Sequence, residues 1–216
     1  MSANEKQPQP SAIEVFKNDS EYLLGDIGTE LVDENNFFGK GSVQLLKHHG
    51  TYQQDDRDVR GQIQDDGSKK RFIYMVRTRI PGGRMTGEQF LEHLNLCDEV
   101  GNSTLRITSR QALQLHGVIK SELKSTIQRI NSTRLTTLAA CGDVARNTMC
   151  CPAPFKNEIY DELRGLTDEI AERLRPRTNT YHELWLTDTD SGEKCLAGGN
   201  TEASITGYQG DDQEPI

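Results

Sequence analysis

The chain has 216 residues, of which 34% are hydrophobic and 27% charged, and its formal net charge is −8. A chain of this length forms one ordinary domain or two small ones. The acidic balance argues against a general nucleic-acid-binding protein, which would carry a basic excess, and the low hydrophobic content predicts a sizeable extended fraction.

The cysteines and the amino terminus indicate a reducing compartment. The cysteines are odd in number: Cys97, Cys141, Cys150, Cys151 and Cys195. Residues 1–12 are polar, which predicts no signal peptide, and no apolar run approaches the roughly 20 residues of a membrane span. We expect a cytoplasmic protein with free thiols and no membrane partner. Adjacent cysteines lack the spacing of a zinc or iron–sulfur clamp, and the histidines are scattered, so no metal ligands are predicted.

The first 70 residues predict a tail and an arm that wraps over another surface. Residues 13–60 contain short apolar clusters between polar residues, without a sustained period. We expect one short helix near residues 20–33. The stretch 48–58 is strongly polar, and Gly67 marks a turn.

Regular patterning begins at residue 71. Residues 71–80 alternate, with Tyr74 and Val76 on one face and Arg77 and Arg79 on the other, which predicts a strand. The further elements predicted are a helix from a Thr86–Gln89 capping box to about Val100, strands at 104–108 and 111–119 with Leu113, Leu115 and Ile119 inward, a helix over Leu123–Ile130, and a strand at 135–141. This β-α-β-β-α-β order is that of a ferredoxin-like unit, which we place at residues 71–141 of an α+β protein.

Residues 142–216 predict the beginning of another domain. An amphipathic helix is expected over 157–175, with Ile159, Leu163, Leu166, Ile170 and Leu174 on one stripe. A strand is expected at 181–186, followed by a glycine- and aspartate-rich loop.

Arginines recur where predicted strands meet turns. Alternation places Arg106, Thr108 and Arg110 together, with Gln114 and His116 on the polar side of the next strand. Arginine forks donate paired hydrogen bonds to carboxylates and stay charged, so this set suits an anion with several carboxylates. The alternative is a solvated strand edge paired with acidic residues, and periodicity alone leaves both open.

A second arginine-bearing segment follows the last predicted strand. Gly142 allows a close backbone approach to a ligand, and Arg146 could reach the same surface as Arg77. Spacing alone also allows a generic glycine turn.

Five segments together resemble one known family. They are LLKHHGTYQQDDRD at 45–58, RTRIPGG at 77–83, RITSRQALQLHG at 106–117, GDVARN at 142–147 and YHELWL at 181–186. In this order they resemble the N-terminal part of assimilatory sulfite reductase haemoproteins, of the nitrite/sulfite reductase family. The resemblance covers about residues 13–186. Its GDVARN segment at 142–147 looks more like the sulfite branch than the nitrite branch.

The resemblance implies a six-electron reduction of sulfite to sulfide in sulfur assimilation. The cofactors would be sirohaem, which has eight carboxylates, and a 4Fe–4S cluster whose cysteine ligands lie in a C-terminal half beyond this chain. Electrons would come from ferredoxin or a flavoprotein. The start of a sirohaem-binding α/β domain is expected at 142–216. Nitrite reduction, or a non-catalytic sirohaem-binding fragment, are the alternatives.

The resemblance also assigns roles to residues. Arg77 and Arg146 match the arginines that face sulfite. The residues implied in cofactor binding are Arg106, Thr108, Arg110, Gln114, His116 and Asn147.

Overall fold

The computed structural model describes residues 10–21, 23–60, 70–142 and 144–176, and the backbone of residues 184–187 and 194–198. The chain divides into two units, Met1–Arg175 and Pro176–Ile216. Within these described ranges, no helix is both long enough and apolar enough to cross a membrane.

A four-stranded antiparallel sheet organises the first unit. Its strands are β1 Thr51–Asp55, β2 Phe72–Thr78, β3 Leu105–Ile107 and β4 Leu113–Val118, and their order in the sheet is β1-β2-β4-β3. The predicted α+β ferredoxin-like half-domain is confirmed, because a helix follows β2 and another follows the consecutive strands β3 and β4, as the predicted order required.

Six helices accompany the sheet in the part of the chain that is described. They are α1 Ala12–Asn18, α2 Ile27–Val32, α3 Lys40–Leu46, α4 Gly87–Glu99, α5 Leu123–Ser132 and α6 Glu158–Arg173. The predicted capping box starts α4: the Thr86 hydroxyl accepts from the Gln89 amide N–H at 3.2 Å, and the Gln89 side chain accepts from Thr86 N at 2.9 Å. In the second unit, β5 Leu184–Thr187 pairs antiparallel with β6 Lys194–Gly198.

The core lies between one face of the sheet and helices α4 and α5. Tyr74 and Val76 from β2, Leu115 from β4, Leu96 from α4 and Ile130 from α5 are almost completely buried within it. Burial of one such aliphatic side chain contributes about 1.5–3 kcal/mol. The opposite face of the sheet carries Arg77 and Gln114, and also the buried Met75.

The predicted strand at 135–141 was wrong. Only Thr136 pairs with the sheet, through a single bridge to Arg79. The edge beside β2 is instead occupied by β1, which comes from the predicted arm. Its polar sequence concealed it, because Gln53 points inward and its side-chain oxygen accepts from Phe38 N at 2.6 Å and from the Tyr74 hydroxyl at 3.0 Å.

A β-bulge corrects the predicted phase at the end of β4. The pairing shifts between Tyr74–Val118 and Val76–Leu115, and Gly117 has a φ of 85°. The extra residue turns Val118 inward and leaves Ile119 45% exposed, although strict alternation had placed Ile119 in the core.

The N-terminal segment contains three helices, where one was predicted. Its attachment to the half-domain includes a buried lysine, Lys120, whose Nζ forms an ion pair with Asp33 and donates to Asn35 O at 2.8 Å. The same ammonium lies 5.1 Å from the centre of the Phe38 ring.

Helix α6 agrees with its prediction in extent, and Asn157 caps its start. Its apolar stripe is open, however: Ile159, Leu163, Leu166, Ile170 and Leu174 are 38–67% exposed. Of the predicted strand 181–186, residues 184–186 lie in β5 and 181–183 lie outside the described residues. The predicted loop 187–216 contains β6. Its other residues after Thr187 lie outside the described residues.

We expect the first unit to lose stability in mild acid, as the pH falls from 6.5 towards 4. Burial, followed by the neighbouring His48, lowers the pKa of His49 from 6.5 to about 4. Between these values the unfolded chain holds a proton that the folded chain does not, so stability falls as pH falls from 6.5 towards 4. Urea unfolding at pH 7 and pH 5 should show a smaller loss for His49→Gln than for the unmodified chain. An equal loss in both would contradict this assignment.

Candidate functional site

The candidate site lies on the face of the sheet opposite the core helices. Register places Arg77 of β2 beside Gln114 of β4, and Gln114 beside Arg106 of β3. Because side chains alternate between faces, these three form one row across the sheet. The predicted placement of Arg77 in β2 and Gln114 in β4 on the face opposite the core is therefore confirmed.

Arg77 lies at the β2 end of this row, where its neighbours hold it in place. With the amide of Gln114 turned so that its oxygen faces the guanidinium, that oxygen accepts from Arg77 Nε at 2.9 Å and from Nη2 at 2.5 Å. The guanidinium also lies 5.9 Å from the centre of the Tyr52 ring. Both contacts depend on the flat, forked shape of arginine.

His116 lies next to the row, on the same face of β4 as Gln114. Burial lowers its pKa, and the positive charges of Arg106 and Arg77 lower it further. Its Nε2 is buried and has no hydrogen-bond partner within the described part of the chain. A neutral imidazole with an unsatisfied nitrogen, beside two guanidinium groups, suits an anionic or polar ligand.

Arg146 reaches the same region from the loop after the half-domain. Its Nε and Nη2 donate to Gly142 O at 3.4 and 3.3 Å. The Tyr52 hydroxyl lies near the Cys141 thiol, and the pKa values of both groups are raised chiefly by burial. The charges of both Arg77 and Arg146 oppose these increases. The two arginines are therefore both close to the half-buried Tyr52 and the buried Cys141, a pair that sequence reasoning had not identified.

Thr108 and Arg110 belong to a turn, where alternation no longer applies. The prediction that they continue the strand face of Arg106 was wrong, because β3 ends at Ile107. The Thr108 hydroxyl accepts from Arg110 N at 3.3 Å and from Ala112 N at 3.0 Å. Thr108 thus shapes the turn, and the Arg110 side chain is exposed at its tip.

Asn147 is buried, and its amide already has backbone partners. Its oxygen accepts from Ile80 N at 3.0 Å, and its nitrogen donates to Ile80 O and Arg110 O, each at 2.6 Å. The side chain therefore has its hydrogen bonds inside the protein, where it joins the loop of Arg146 to the turn of Arg110.

Arg79 leaves the site, although alternation had paired it with Arg77. Its side chain is buried, and Nη2 donates to Ala171 O near the end of α6 at 3.0 Å. A cation at a helix C-terminus is favourable because it meets unpaired carbonyl groups. Arg79 thus attaches α6 to the end of β2.

The site arginines lack acidic partners. In the described part of the first unit, none of the ion pairs involves Arg77, Arg106, Arg110 or Arg146. Some arginines elsewhere in the described residues are paired, as Arg129 is with Glu92 and Glu99, whereas others, such as Arg134, are not. The alternative of a strand edge neutralised by acidic residues is therefore not supported.

This set of side chains fits a ligand with several carboxylates and a small oxyanion beside it. It offers guanidinium forks, a neutral imidazole and an amide, all of which recognise oxygen. This set of side chains does not include ligands for an iron–sulfur cluster. Among the residues described, no three histidine, cysteine or acidic side chains group together in a way that could hold a metal ion.

Comparisons with known proteins agree with this fold. Residues 66–133 match the family described as "Nitrite/Sulfite reductase ferredoxin-like half domain". Over 86% of its length the chain is 42% identical to "Sulfite reductase [NADPH] hemoprotein beta-component" of Staphylococcus haemolyticus, covering 32% of that protein. The Bacillus subtilis protein of the same name is 42% identical over 82% of the chain, which covers 31% of it.

Two further similarities extend the range of relatives. "Sulfite reductase [NADPH] subunit beta" of Schizosaccharomyces pombe is 39% identical over 92% of the chain, which covers 14% of that protein. Among solved structures, the Mycobacterium tuberculosis NirA protein matches with a TM-score of 0.64 over 87% of this chain and 40% of its own, at 18% identity. The chain thus spans about a third of the bacterial relatives that it matches.

Proposed function

From the premise that this chain belongs to the nitrite/sulfite reductase family, we propose that it supplies the arginine-bearing wall of a sirohaem site at which sulfite is reduced to sulfide. The observation that carries the proposal is the set of guanidinium groups, centred on Arg77 and Arg146, that have no acidic partner among the residues that the structure describes. In this reading Arg77 and Arg146 bind sulfite, Arg106 and Arg110 bind carboxylates of the cofactor, and Thr108 shapes the turn of Arg110.

The remaining predicted residues have distinct parts in this site. Gln114 orients Arg77 through its side-chain oxygen, and it lies beside Arg106. His116 presents a neutral imidazole to the cofactor. Asn147 acts through the backbone that it bonds.

The chain's own contribution to the chemistry is electrostatic. Sirohaem coupled to a 4Fe–4S cluster would supply the six electrons, and the cluster ligands would lie outside this chain. Arg77 and Arg146 neutralise the charge of sulfite, polarise its S–O bonds and orient it. Because they are fixed before the anion arrives, little reorganisation is needed at the moment of reaction.

Sulfite is favoured over nitrite as the substrate. The relatives compared above by sequence have names that specify sulfite reductase. The term "[NADPH]" in these names also favours a flavoprotein over ferredoxin as the electron donor. Nitrite reduction is the second candidate, and it would share the same arginine wall.

We also propose that a C-terminal half, in the same or a separate polypeptide, completes the enzyme in the cytoplasm. The bacterial relatives are about three times as long as the matched region. The exposed apolar stripe of α6 supports a further surface that covers it. In this proposal residues 1–70 are a tail and arm, 71–141 the half-domain, and 142–216 the start of the sirohaem domain.

The visible spectrum after addition of sirohaem tests this proposal. We expect a Soret shift when the chain is combined with the C-terminal two thirds of a close relative. The Arg106→Gln/Arg110→Gln variant should bind sirohaem about 10²–10⁴-fold more weakly, because each of the two lost charged hydrogen bonds costs about 1.5–3 kcal/mol.

Arg129→Gln/Arg134→Gln removes the same charge on the helix side and serves as the control. The proposed site would be contradicted if sirohaem gave no Soret shift, either with the chain alone or with the chain combined with the C-terminal part. A shift with the chain alone, without sulfite reduction, would favour a non-catalytic sirohaem-binding fragment. Sustained sulfite reduction by the chain alone would remove the need for a C-terminal half.

A further inference from the structure

The loop that carries Arg146 has no regular secondary structure. Residues 144–150 form neither helix nor strand, so only tertiary bonds can fix this loop in place. Three such connections join it to other parts of the site, and two of them are made by side-chain amides. One is the backbone bond from Gly82 N to Thr148 O, at 2.9 Å.

Asn147 makes the first amide connection, directly beside Arg146. It pairs with both polar atoms of the Ile80 peptide, at 3.0 and 2.6 Å, in the way that a neighbouring strand would. Ile80 lies three residues after Arg77. The third bond, to Arg110 O at 2.6 Å, reaches the residue whose side chain stands at the tip of the turn.

Gln111 makes the second amide connection, from the turn to the loop. Its nitrogen donates to Cys150 O at 2.6 Å, and its oxygen accepts from Cys150 N at 3.0 Å. Gln111 has a φ of 59°, a conformation that costs a residue with a side chain about 1–2 kcal/mol. A Cβ at Gly83 would lie 2.8 Å from that of Gln111, so the packing leaves this amide little freedom.

We infer that Asn147 and Gln111 are positioning residues, which together set the place of Arg146 relative to Arg77 and Arg110. The inference rests on the proposed function for its consequence in catalysis. The two amides connect three segments that are distant in sequence and that each carry one of these arginines. No ligand contact is needed for this role.

The first test follows motion in the 216-residue chain itself. We expect Asn147→Ala and Gln111→Ala to lower the backbone ¹⁵N order parameters of Ala145 and Arg146 from about 0.85 to below about 0.6. Arg106, held in the sheet, should not change. Tyr74→Phe is the matched control, because it removes buried hydrogen bonds to Gln53 and Asn36 on the other face.

The second test follows sulfite in the sirohaem-loaded assembly. Each variant should raise the dissociation constant of sulfite, read from the visible spectrum, and its KM about tenfold or more, because small misplacements of binding groups are costly. Sirohaem content should stay equal to that of the unmodified protein. Gln111→Glu keeps the oxygen that accepts from Cys150 N, so it should restore part of the affinity.

The outcomes separate this inference from the proposed function. If the unmodified assembly takes up no sirohaem, the proposed function fails, and the order parameters still decide whether the amides hold the loop. The positioning role is overturned if these parameters are unchanged in both variants. It is also overturned if sulfite affinity and KM are unchanged in a loaded assembly, or if Tyr74→Phe shifts them equally.

Discussion

Replacing Arg77 with lysine is expected to lower kcat/KM for sulfite by about 10²–10³-fold, the usual cost of removing one preorganised donor from a charged transition state. Lysine keeps the charge. It lacks the guanidinium fork whose Nε and Nη2 donate to the Gln114 side-chain oxygen at 2.9 and 2.5 Å. It also lacks the flat surface that faces the Tyr52 ring. A compact, strongly hydrated ammonium on a flexible stem cannot reproduce either contact.

Steady-state kinetics of the sirohaem-loaded assembly would measure this effect. Arg134→Lys is the matched control, because Arg134 is exposed just after α5 and has no ion pair among the described residues. Sirohaem content and melting temperature should be equal in the two variants. A loss below about threefold for Arg77→Lys would exclude Arg77 from contact with the reacting anion.

The sequence predicted the row of Arg77, Arg106 and Gln114 for a simple physical reason. In β2 and β4 the core face is apolar, and the opposite face carries Arg77 and Gln114 beside the buried Met75, so the period of two identifies the face of these two polar residues. The prediction failed where the strand ended, at Thr108 and Arg110. It also failed at Arg79, whose attachment to Ala171 brings together residues 92 positions apart.

Strand β1 and the Tyr52–Cys141 pair could not be predicted in the same way. The strand carries Gln53 towards the core, and local pattern rules treat an inward glutamine as a loop signal. Its hydrogen bonds to Phe38 N and Tyr74 become visible only in three dimensions. Asn147 and Gln111 pose the same difficulty, because their partners are backbone atoms, which have no signature in sequence.

The largest loss of folding stability is expected from Gly50→Ala. Gly50 has a φ of 74°, where a side chain costs about 1–2 kcal/mol. A Cβ there would lie 2.7 Å from Arg77 O and closer still to Thr137 O, and both are backbone atoms that cannot swing aside. Gly50 O also accepts from Arg77 N at 2.8 Å, so relief of the clash would disturb the start of β1 and the strand of Arg77 together.

We therefore expect Gly50→Ala to reduce the free energy of unfolding by about 2–4 kcal/mol, and the melting temperature by about 5–15 °C. Gly165→Ala is the matched control, because Gly165 lies on the exposed side of α6 and a Cβ there meets nothing within 4 Å. In a helix interior the same change should stabilise by about 0.5–1 kcal/mol. Opposite signs for one substitution, measured by urea unfolding, would show that local backbone geometry decides the outcome. Equal changes in the free energy of unfolding at the two sites would contradict this prediction. They would mean that the close backbone contacts of Gly50 with Arg77 and Thr137 do not help to hold β1 against β2.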